Sequence, residues 1–508
     1  MLYNYAHTHT KQETPTMGML RCDNNMVALV LPCFIIINHV FNATSKPVGS
    51  LIDLPAHDHR FQIRKLYEFK SKFFPREQVS LSSSSSPSSP ARSNSGVYSV
   101  IEYGADPTGK TDSTDAILAA VSDAVSVAGD GFLMEGITNL GGVRISLEGG
   151  IYKISRPIKL PVAGRGNIMI FGGTLKAYDN FTTDGYLLDL SPPSSSTNHD
   201  YNYEFVTLRD LMLDCNFKGG GIRIVNALRT SIDNCYIAHF TTTGILVQQG
   251  HETYIRNSFL GQHITAGGDP NERNFTGTAI DLQGNDNAIT DVVIFSAQVG
   301  IMISGQANMI TGVHCYNKAN GFGGTGIYIK VPRITQTRIV NSYFDYTGIV
   351  VEDPVQLHVS GCFFLGDAFI VLKSVRGVVD GINIVNNMFY GSNKGVDIVQ
   401  LDQTRKEFNE IGRVMVDNNV VNGMNMKATV ANGVTRVNGT SWTIDFNKIL
   451  LFPRRIKFVQ HSLMSNTSDM FPKTILRNIS NNQVFIESDV TVEGSASVTV
   501  DQGLTMSS

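Results

Sequence analysis

The stretch that decides the fold is IDNCYIAHFTTTGILV, residues 232–247, because both halves of it recur along the chain. The first half starts and ends on an apolar residue and carries Asn, Asp or Gly third; the second is Gly-Ile-x-Ile or a close relative. The first half recurs as IRNSFL (255–260), ITDVVI (289–294), ITGVHC (310–315), IVNSYF (339–344), VSGCFF (359–364) and IVNNMF (384–389). The second recurs as GIRI (221–224), TAID (278–281), GIMI (300–303), GIYI (326–329), GIVV (348–351), AFIV (368–371) and GVDI (395–398).

The spacing of these segments predicts a solenoid built from strands. The second segment begins at residues 221, 244, 278, 300, 326, 348, 368 and 395, in steps of 20 to 27 residues with one step of 34. A fixed period of this size indicates stacked repeats, and alternation within four residues indicates short strands rather than helices. Leucine-rich repeats would need a Leu/Asn motif and a helical side, which are missing. We therefore predict an all-β parallel β-helix, with coils about 4.8 Å apart.

Stacking brings equivalent positions of successive coils into vertical columns. The polar third residue of the first segment should form a ladder at a bend, where its side chain satisfies turn backbone: Asn234, Asn257, Asp291, Asn341 and Asn386. The variable residue of the second segment should point outward and floor a groove: Arg223, Leu246, Asp281, Met302, Tyr328 and Val350.

Four regions are expected along the chain. Residues 1–45 contain the apolar run Met26–Ile37, the size of a signal-peptide core, and a start at Met17 or Met19 would give a more ordinary signal. Residues 46–96 hold a basic stretch and a Ser-rich linker. Residues 97–425 form the β-helix, beginning with a capping helix at AILAAVSDAV, and residues 426–508 form a small β-rich C-terminal region.

Composition narrows the function classes. The chain has 508 residues, 42% of them hydrophobic, with 41 Lys+Arg against 44 Asp+Glu, so we expect no nucleic-acid partner, and no membrane association after signal removal. Six N-x-S/T sequons, at Asn42, Asn180, Asn274, Asn438, Asn466 and Asn478, fit secretion to the extracellular space or cell wall. The cysteines show no zinc spacing, so no metal or other cofactor is expected; Cys215 and Cys235 form either a disulfide or two buried thiols. We expect a monomer.

Several segments resemble the pectin-lyase-like superfamily. YGADPTGKTDSTDAILAA resembles the F-G-A-x-x-D-G-x-x-D-D-T-x-A opening of these proteins, and GHETYIRNSFLGQH, VHCYNKANGFGGTGIYIK and CFFLGDAFIVLKS look most like plant QUARTET-type polygalacturonases. The resemblance covers about residues 97–425. It implies a right-handed parallel β-helix and a secreted glycoside hydrolase that cleaves α-1,4-galacturonan, so a pectic polysaccharide is the expected partner.

The resemblance also points to one pair of candidate carboxylates. Asp345-Tyr-Thr-Gly stands where these enzymes carry N-T-D-G, and Gly366-Asp-Ala-Phe-Ile stands where they carry G-D-D-C-I, with Ala368 replacing one Asp. Asn393-Lys394-Gly395 replaces G-H-G. Hydrolysis needs one carboxylic acid and one carboxylate, so Asp367 and Asp345 are predicted to be catalytic; the alternative is that both only cap turns.

A second group of candidates lies between residues 250 and 287. Glu252 and Asp286 should occupy the same coil position, where like charges raise one pKa, and Asp281 lies on the outward stripe. The 34-residue step adds a loop, GGDPNERNFTG, that could wall a cleft; solvated loop charges are the alternative. Candidate substrate-binding residues are His251, Arg256, Arg273, Lys330 and Lys394.

Three hypotheses follow. The first is a secreted galacturonan hydrolase. The second is a β-helix that has lost its catalytic residues and binds wall polysaccharide or has a structural role, which the Ala at position 368 would fit. The third is a pectin or pectate lyase, which would need a Ca²⁺ site built from several carboxylates.

Overall fold

The repeated segments form parallel strands that stack into a right-handed β-helix with three faces. The computed structural model describes residues 96–193, 201–263, 275–316, 324–330, 336–466 and 471–503. The expected signal peptide and the linker lie outside these residues. The fold class predicted from the repeats is confirmed.

Face 1 is a ten-stranded parallel sheet that contains the Gly-Ile-x-Ile segments. Its strands are Ile158–Lys159, Tyr186–Leu190, Gly220–Val225, Thr243–Gln248, Thr278–Leu282, Val299–Ile303, Thr325–Ile329, Ile349–Glu352, Ile370–Lys373 and Val399–Asp402.

Faces 2 and 3 come from the two halves of the first repeated segment, on either side of its bend. Face 2 contains Ser231–Asp233, Tyr254–Arg256, Ala288–Thr290, Met309–Thr311, Thr337–Val340, Leu357–Ser360, Ile382–Val385 and Val414–Asp417. Face 3 contains Tyr236–Ala238, Phe259–Gly261, Val293–Ser296, His314–Cys315, Tyr343–Asp345, Phe363–Leu365, Met388–Tyr390 and Val420–Asn422.

The first coils use longer strands that join faces 2 and 3. Tyr203–Asp214 pairs with strands of both faces. The other strands of this part are Val97–Ser99, Thr108–Asp112, Phe132–Met134, Ile137–Ser146, Ile151–Ile154, Arg165–Ala177 and Ala227–Leu228, and a separate pair, Val378–Val379 and Glu410–Ile411, lies farther along.

Alternation along each face 1 strand places side chains inside and outside in turn. Ile245 and Val247 are buried in the core, while Leu246 between them is only half-buried. The outward column predicted from the variable position is present in register, from Arg223 through Asp281 to Val350. GVDI (395–398) is an exception: the strand of this coil is Val399–Asp402, so Asp397 lies in the preceding turn.

The polar ladder lies at the bend between faces 2 and 3. All five predicted residues have left-handed backbone, with φ between 51° and 58°, which Asn and Asp tolerate better than other side chains. Their side chains were expected to satisfy turn backbone, but Asn257 donates instead to the Asp233 carboxylate one coil earlier, at 3.0 Å. Backbone groups are instead satisfied by buried asparagines, such as Asn387, which directly follows the bend residue Asn386 and accepts from the Cys362 amide.

Both ends of the coil stack are covered. Helix α1, Thr114–Val125, follows a 3₁₀ turn at Val100–Tyr103 and buries its apolar side on the first coils. The Asp106 carboxylate accepts from the Thr108 and Thr111 amides, so this part of the opening motif is structural. The C-terminal region is an antiparallel sheet of four strands: Val430–Asp445, Phe458–Ser465, Thr474–Ser480 and Gln483–Asp501.

Two further expectations concern cysteines and membrane segments. Cys215 and Cys235 are buried free thiols, so the second of the two alternatives holds. Burial raises the pKa of the Cys235 thiol to about 12. In the ranges given above, no helix is long and apolar enough to cross a membrane.

Candidate active site

Asp281 lies in the outward column of face 1 and is the carboxylate whose surroundings best suit an acid. Its Oδ2 accepts a hydrogen bond from Gln283 Nε2 at 2.9 Å, while its Oδ1 is buried and has no partner among the described residues. Burial raises the pKa of Asp281, against the smaller lowering effects of Gln283 and Lys330. A carboxyl group with a raised pKa and an unused oxygen can donate a proton to a substrate.

A cavity of about 520 Å³ lies beside Asp281, where the chain turns from face 1 to face 2. Gln283 connects the two, because it lines this cavity and also contacts Asp281. His251 lines the cavity as well, and its Nδ1 lies 2.9 Å from Asp286 Oδ2. The remaining lining residues are polar or small: Tyr201, Asn226, Gln249, Gly250, Gly284 and Asn285.

Glu252 and Asp286 occupy equivalent positions in successive coils, as predicted. The register pairs His251 with Asn285 and Tyr254 with Ala288, which aligns the two carboxylates between them. Each of them contacts a basic side chain: Glu252 pairs with Arg229 at 2.9 Å, and Asp286 pairs with His251. Each carboxylate therefore has its own basic partner.

Asp367 and Asp345 lie near the corner between faces 3 and 1. Asp345 pairs in register with Leu365, so it is not the vertical equivalent of Asp367. Asp367 accepts hydrogen bonds from the Ser392 amide, at 2.8 Å, and from its hydroxyl. Burial alone would raise the pKa of Asp367. The hydrogen bonds from Ser392 and the charge of Lys394 outweigh burial and hold this pKa below its usual value. Asp367 therefore caps the turn that contains Ser392, and its catalytic role stays a prediction.

The basic candidates are spread over different parts of the molecule. Arg256 lies on the outside of face 2 and contacts Asp233 at 3.2 Å, far from the groove side of the coil. Lys394 is mostly exposed, with its Nζ 3.8 Å from Asp367. Lys330 follows a face 1 strand and acts electrostatically on Asp281. Arg273 lies outside the described residues.

Two groups on face 1 were not selected as site residues from sequence. Arg223 lies two strands before Asp281 in the same column, and its Nε is buried with no partner among the residues described. Tyr328 lies two strands after Asp281 and donates to Glu352 Oε1 at 2.6 Å. The Gly-Ile-x-Ile pattern predicted that both side chains point outward. It did not indicate that the Nε of Arg223 is buried without a partner or that Tyr328 contacts Glu352.

No metal centre is apparent in the described ranges, since no group of three or more His, Cys, Asp or Glu side chains there is arranged to hold an ion.

Two solved structures are among those that resemble this chain. A tailspike protein of E. coli bacteriophage HK620, solved in complex with a pentasaccharide, is 11% identical with a TM-score of 0.48, over 80% of this chain and 94% of that one. The A-module of a mannuronan C-5 epimerase from Azotobacter vinelandii is 13% identical with a TM-score of 0.41, over 64% of this chain and 95% of that one.

The sequence comparisons show the family. A family model described as "Rhamnogalacturonase A/epimerase, pectate lyase-like" matches residues 97–328. Polygalacturonase QRT3 of Arabidopsis thaliana is 61% identical over 409 residues, which cover 80% of this chain and 85% of that protein. The chain therefore belongs to the QUARTET-type polygalacturonases of the pectin-lyase-like superfamily.

Proposed function

We propose that this protein hydrolyses α-1,4-linked galacturonan with Asp281 as the general acid and Asp286, oriented by His251, as the base that activates water. The observation that carries the proposal is the Asp281 carboxyl group, which combines a raised pKa with an unpartnered buried oxygen. The name of the 61% identical relative supports the reaction.

The reaction needs one proton donor and one proton acceptor. Asp281 donates its proton to the glycosidic oxygen as the bond to the anomeric carbon breaks. Water attacks that carbon and passes a proton to Asp286, so the two carboxyl groups exchange protonation states. The cavity is lined by His251, which contacts Asp286, and by Gln283, which contacts Asp281, and it gives the water room to bind.

The test is release of reducing ends from polygalacturonate by the purified protein and by Asp281→Asn and Asp286→Asn. Both variants should lose most of the activity. Asp291→Asn is the matched control, since Asp291 belongs to the same coil but lies at the bend between faces 2 and 3, where other coils carry Asn. Products with the ultraviolet absorbance of an unsaturated uronide would instead indicate elimination. Loss of activity in Asp367→Asn with activity retained in Asp281→Asn would move the site to Asp367.

We also propose that the protein is secreted. The apolar run Met26–Ile37 supports this, and so do three sequons, because Asn180, Asn438 and Asn478 are all exposed and accessible to glycosylation. Expression in plant cells should yield extracellular protein whose mass falls on enzymatic deglycosylation. Retention of the whole chain inside the cell would contradict the proposal.

A further inference from the structure

The last four strands of face 3 present apolar side chains to the solvent. Their outward side chains form two columns in register: Tyr343, Phe363, Met388 and Val420 in the first, and Asp345, Leu365, Tyr390 and Asn422 in the second. Phe363, Met388, Tyr390 and Val420 are 45% to 61% exposed. A contiguous exposed apolar surface of this kind indicates a binding site. We call these two columns, together with the neighbouring Tyr346, the face 3 platform.

Aromatic rings make up much of the platform. Tyr346 is 54% exposed, and its ring lies over Gly366, where an added Cβ would be only 2.4 Å from the ring. Phe363 and Tyr390 come from the next two strands, so the three rings extend over about 10 Å along the axis of the coils. Exposed aromatic rings suit the apolar faces of sugar rings, since each combines a large contact area with few rotatable bonds.

Uncharged amides border the platform. Asn341, Asn386 and Asn418 are exposed at the bend between faces 2 and 3, and Asn418 Nδ2 donates to Asn386 Oδ1 at 2.6 Å. Asn422 is exposed at the end of the second column. A side-chain amide both donates and accepts hydrogen bonds, as a sugar hydroxyl does. The rim therefore fits hydroxyl groups, while the rings fit the apolar faces of the same sugars.

The charges beside the platform do not favour an anionic chain. The four strands and the turns that follow them contain five charged side chains: Asp345, Asp367, Asp397, Lys394 and Lys427. Lys394 Nζ lies 3.8 Å from Asp367, and Lys427 Nζ lies 3.6 Å from Asp397. Because carboxylates outnumber cations here, a chain of uronates would be repelled, whereas an uncharged chain would not.

We propose that the face 3 platform binds an uncharged β-linked glucan and so forms a second carbohydrate-binding surface, separate from the groove on face 1. None of the six sequons falls between residues 337 and 425, so glycosylation would leave the platform uncovered. The inference does not depend on the proposed hydrolase activity, because binding to the platform can be measured without cleavage.

The first experiment measures depletion of the purified protein from solution by insoluble cellulose, an uncharged β-linked glucan. The unchanged protein should bind, and the double variant Tyr346→Ala, Tyr390→Ala should bind about ten-fold more weakly, because two aromatic contacts are removed. Tyr254→Ala is the matched control, since Tyr254 is a similarly exposed, outward tyrosine on face 2, and it should bind as the unchanged protein does. Equal losses in the double variant and in Tyr254→Ala, or no binding by the unchanged protein, would overturn the inference.

The second experiment separates the platform from the groove and from an interface between two copies of the chain. Reducing-end release from polygalacturonate should be the same in the double variant and the unchanged protein. Loss of this release in the double variant would make the platform part of the galacturonan site and overturn the inference. A dimer that sedimentation detects in the unchanged protein but not in the double variant would overturn it too. Cellulose binding as expected, with no reducing-end release by any form, would overturn the hydrolase proposal alone.

Discussion

At the scale of single residues, hydrogen-bond donors and burial decide what a carboxylate on this solenoid can do. Asp281 has one donor, Gln283, and a raised pKa, whereas Asp367 has two donors from Ser392 and a lowered pKa. Both are outward Asp residues on a β-helix, and the sequence alone gave no reason to prefer Asp281. The difference arises from side-chain contacts across coils, which repeat spacing does not determine.

The raised pKa of Asp281 predicts a specific pH dependence. A general acid works only while protonated, so activity should be lost as pH rises through its pKa. Lys330 lowers the pKa of Asp281, and therefore Lys330→Met should raise it and move the alkaline limb of kcat/KM to higher pH. Lys394→Met should leave the limb unchanged, because Lys394 acts on Asp367. A limb that moves only in Lys394→Met would identify Asp367 as the acid.

Asp214 predicts a second pH effect, on stability. Its carboxylate lies 2.7 Å from His239 Nδ1 and 2.9 Å from Lys176 Nζ. Burial raises the pKa of Asp214, but these partners outweigh burial and hold the pKa well below its usual value. Because its pKa is lower in the folded state, ionised Asp214 stabilises the fold at pH values above its unfolded-state pKa of about 3.9. That stabilisation is lost as the pH falls through the folded-state pKa. Asp214→Asn should cost about 3 kcal/mol at neutral pH. Urea unfolding should show the deficit shrinking in acid; a constant deficit would contradict this account.

At the scale of the secondary-structure elements, short strands depend on buried amides to complete their backbone hydrogen bonding. Asn387 is fully buried; its Oδ1 accepts from the Cys362 amide at 3.0 Å and its Nδ2 donates to the Val359 carbonyl at 3.1 Å. The same side-chain Nδ2 also donates to Asn419 Oδ1 in the next coil, at 3.0 Å. One side chain thus connects three successive coils.

Removing this amide should destabilise the protein substantially. Asn387→Ala leaves buried backbone groups without partners, each worth about 1–3 kcal/mol, so a loss of about 3 kcal/mol in the free energy of unfolding is expected. Asn386→Gly is the control, because glycine adopts the φ of 58° at that bend without strain. Denaturant titration compares the two, and equal losses would show that the bend, not the buried amide, limits stability.

Repeat spacing correctly predicted the strand positions in coils that consist of short strands following one another. It was wrong in coils that have a long turn or a long strand instead. Glu252 and Asp286 were aligned correctly because Ile255 and Ile289 are both buried and pair directly. GVDI was misplaced because the turn between Tyr390 and Val399 is long enough to contain a Gly-x-apolar segment of its own. Arg165–Ala177 was not recognised because one long strand there spans two faces.

At the scale of the whole molecule, the stability of a solenoid depends on how its end coils are covered. Leu451 and Phe452 are buried in the β-helix core although they belong to the C-terminal region. Gln502 joins the end of the C-terminal sheet to this buried segment: its backbone amide donates to the Thr429 carbonyl, and its side chain pairs with both backbone groups of Phe452, at 3.0 and 2.6 Å. Thr429 in turn bonds to Val416 of the last face 2 strand. The C-terminal sheet therefore shields the last rung from pairing with other chains.

Gln502→Ala should loosen this cover. Two buried backbone groups of Phe452 would lose their partners, which should cost about 2–4 kcal/mol of the free energy of unfolding. Because the last rung would then be exposed, the variant should also aggregate at a lower temperature, as followed by light scattering. Gln483→Ala is the matched control, since Gln483 lies at the start of the same strand and its side chain donates to the exposed Asp445. Loss of stability without earlier aggregation would mean that some other element protects the last coil.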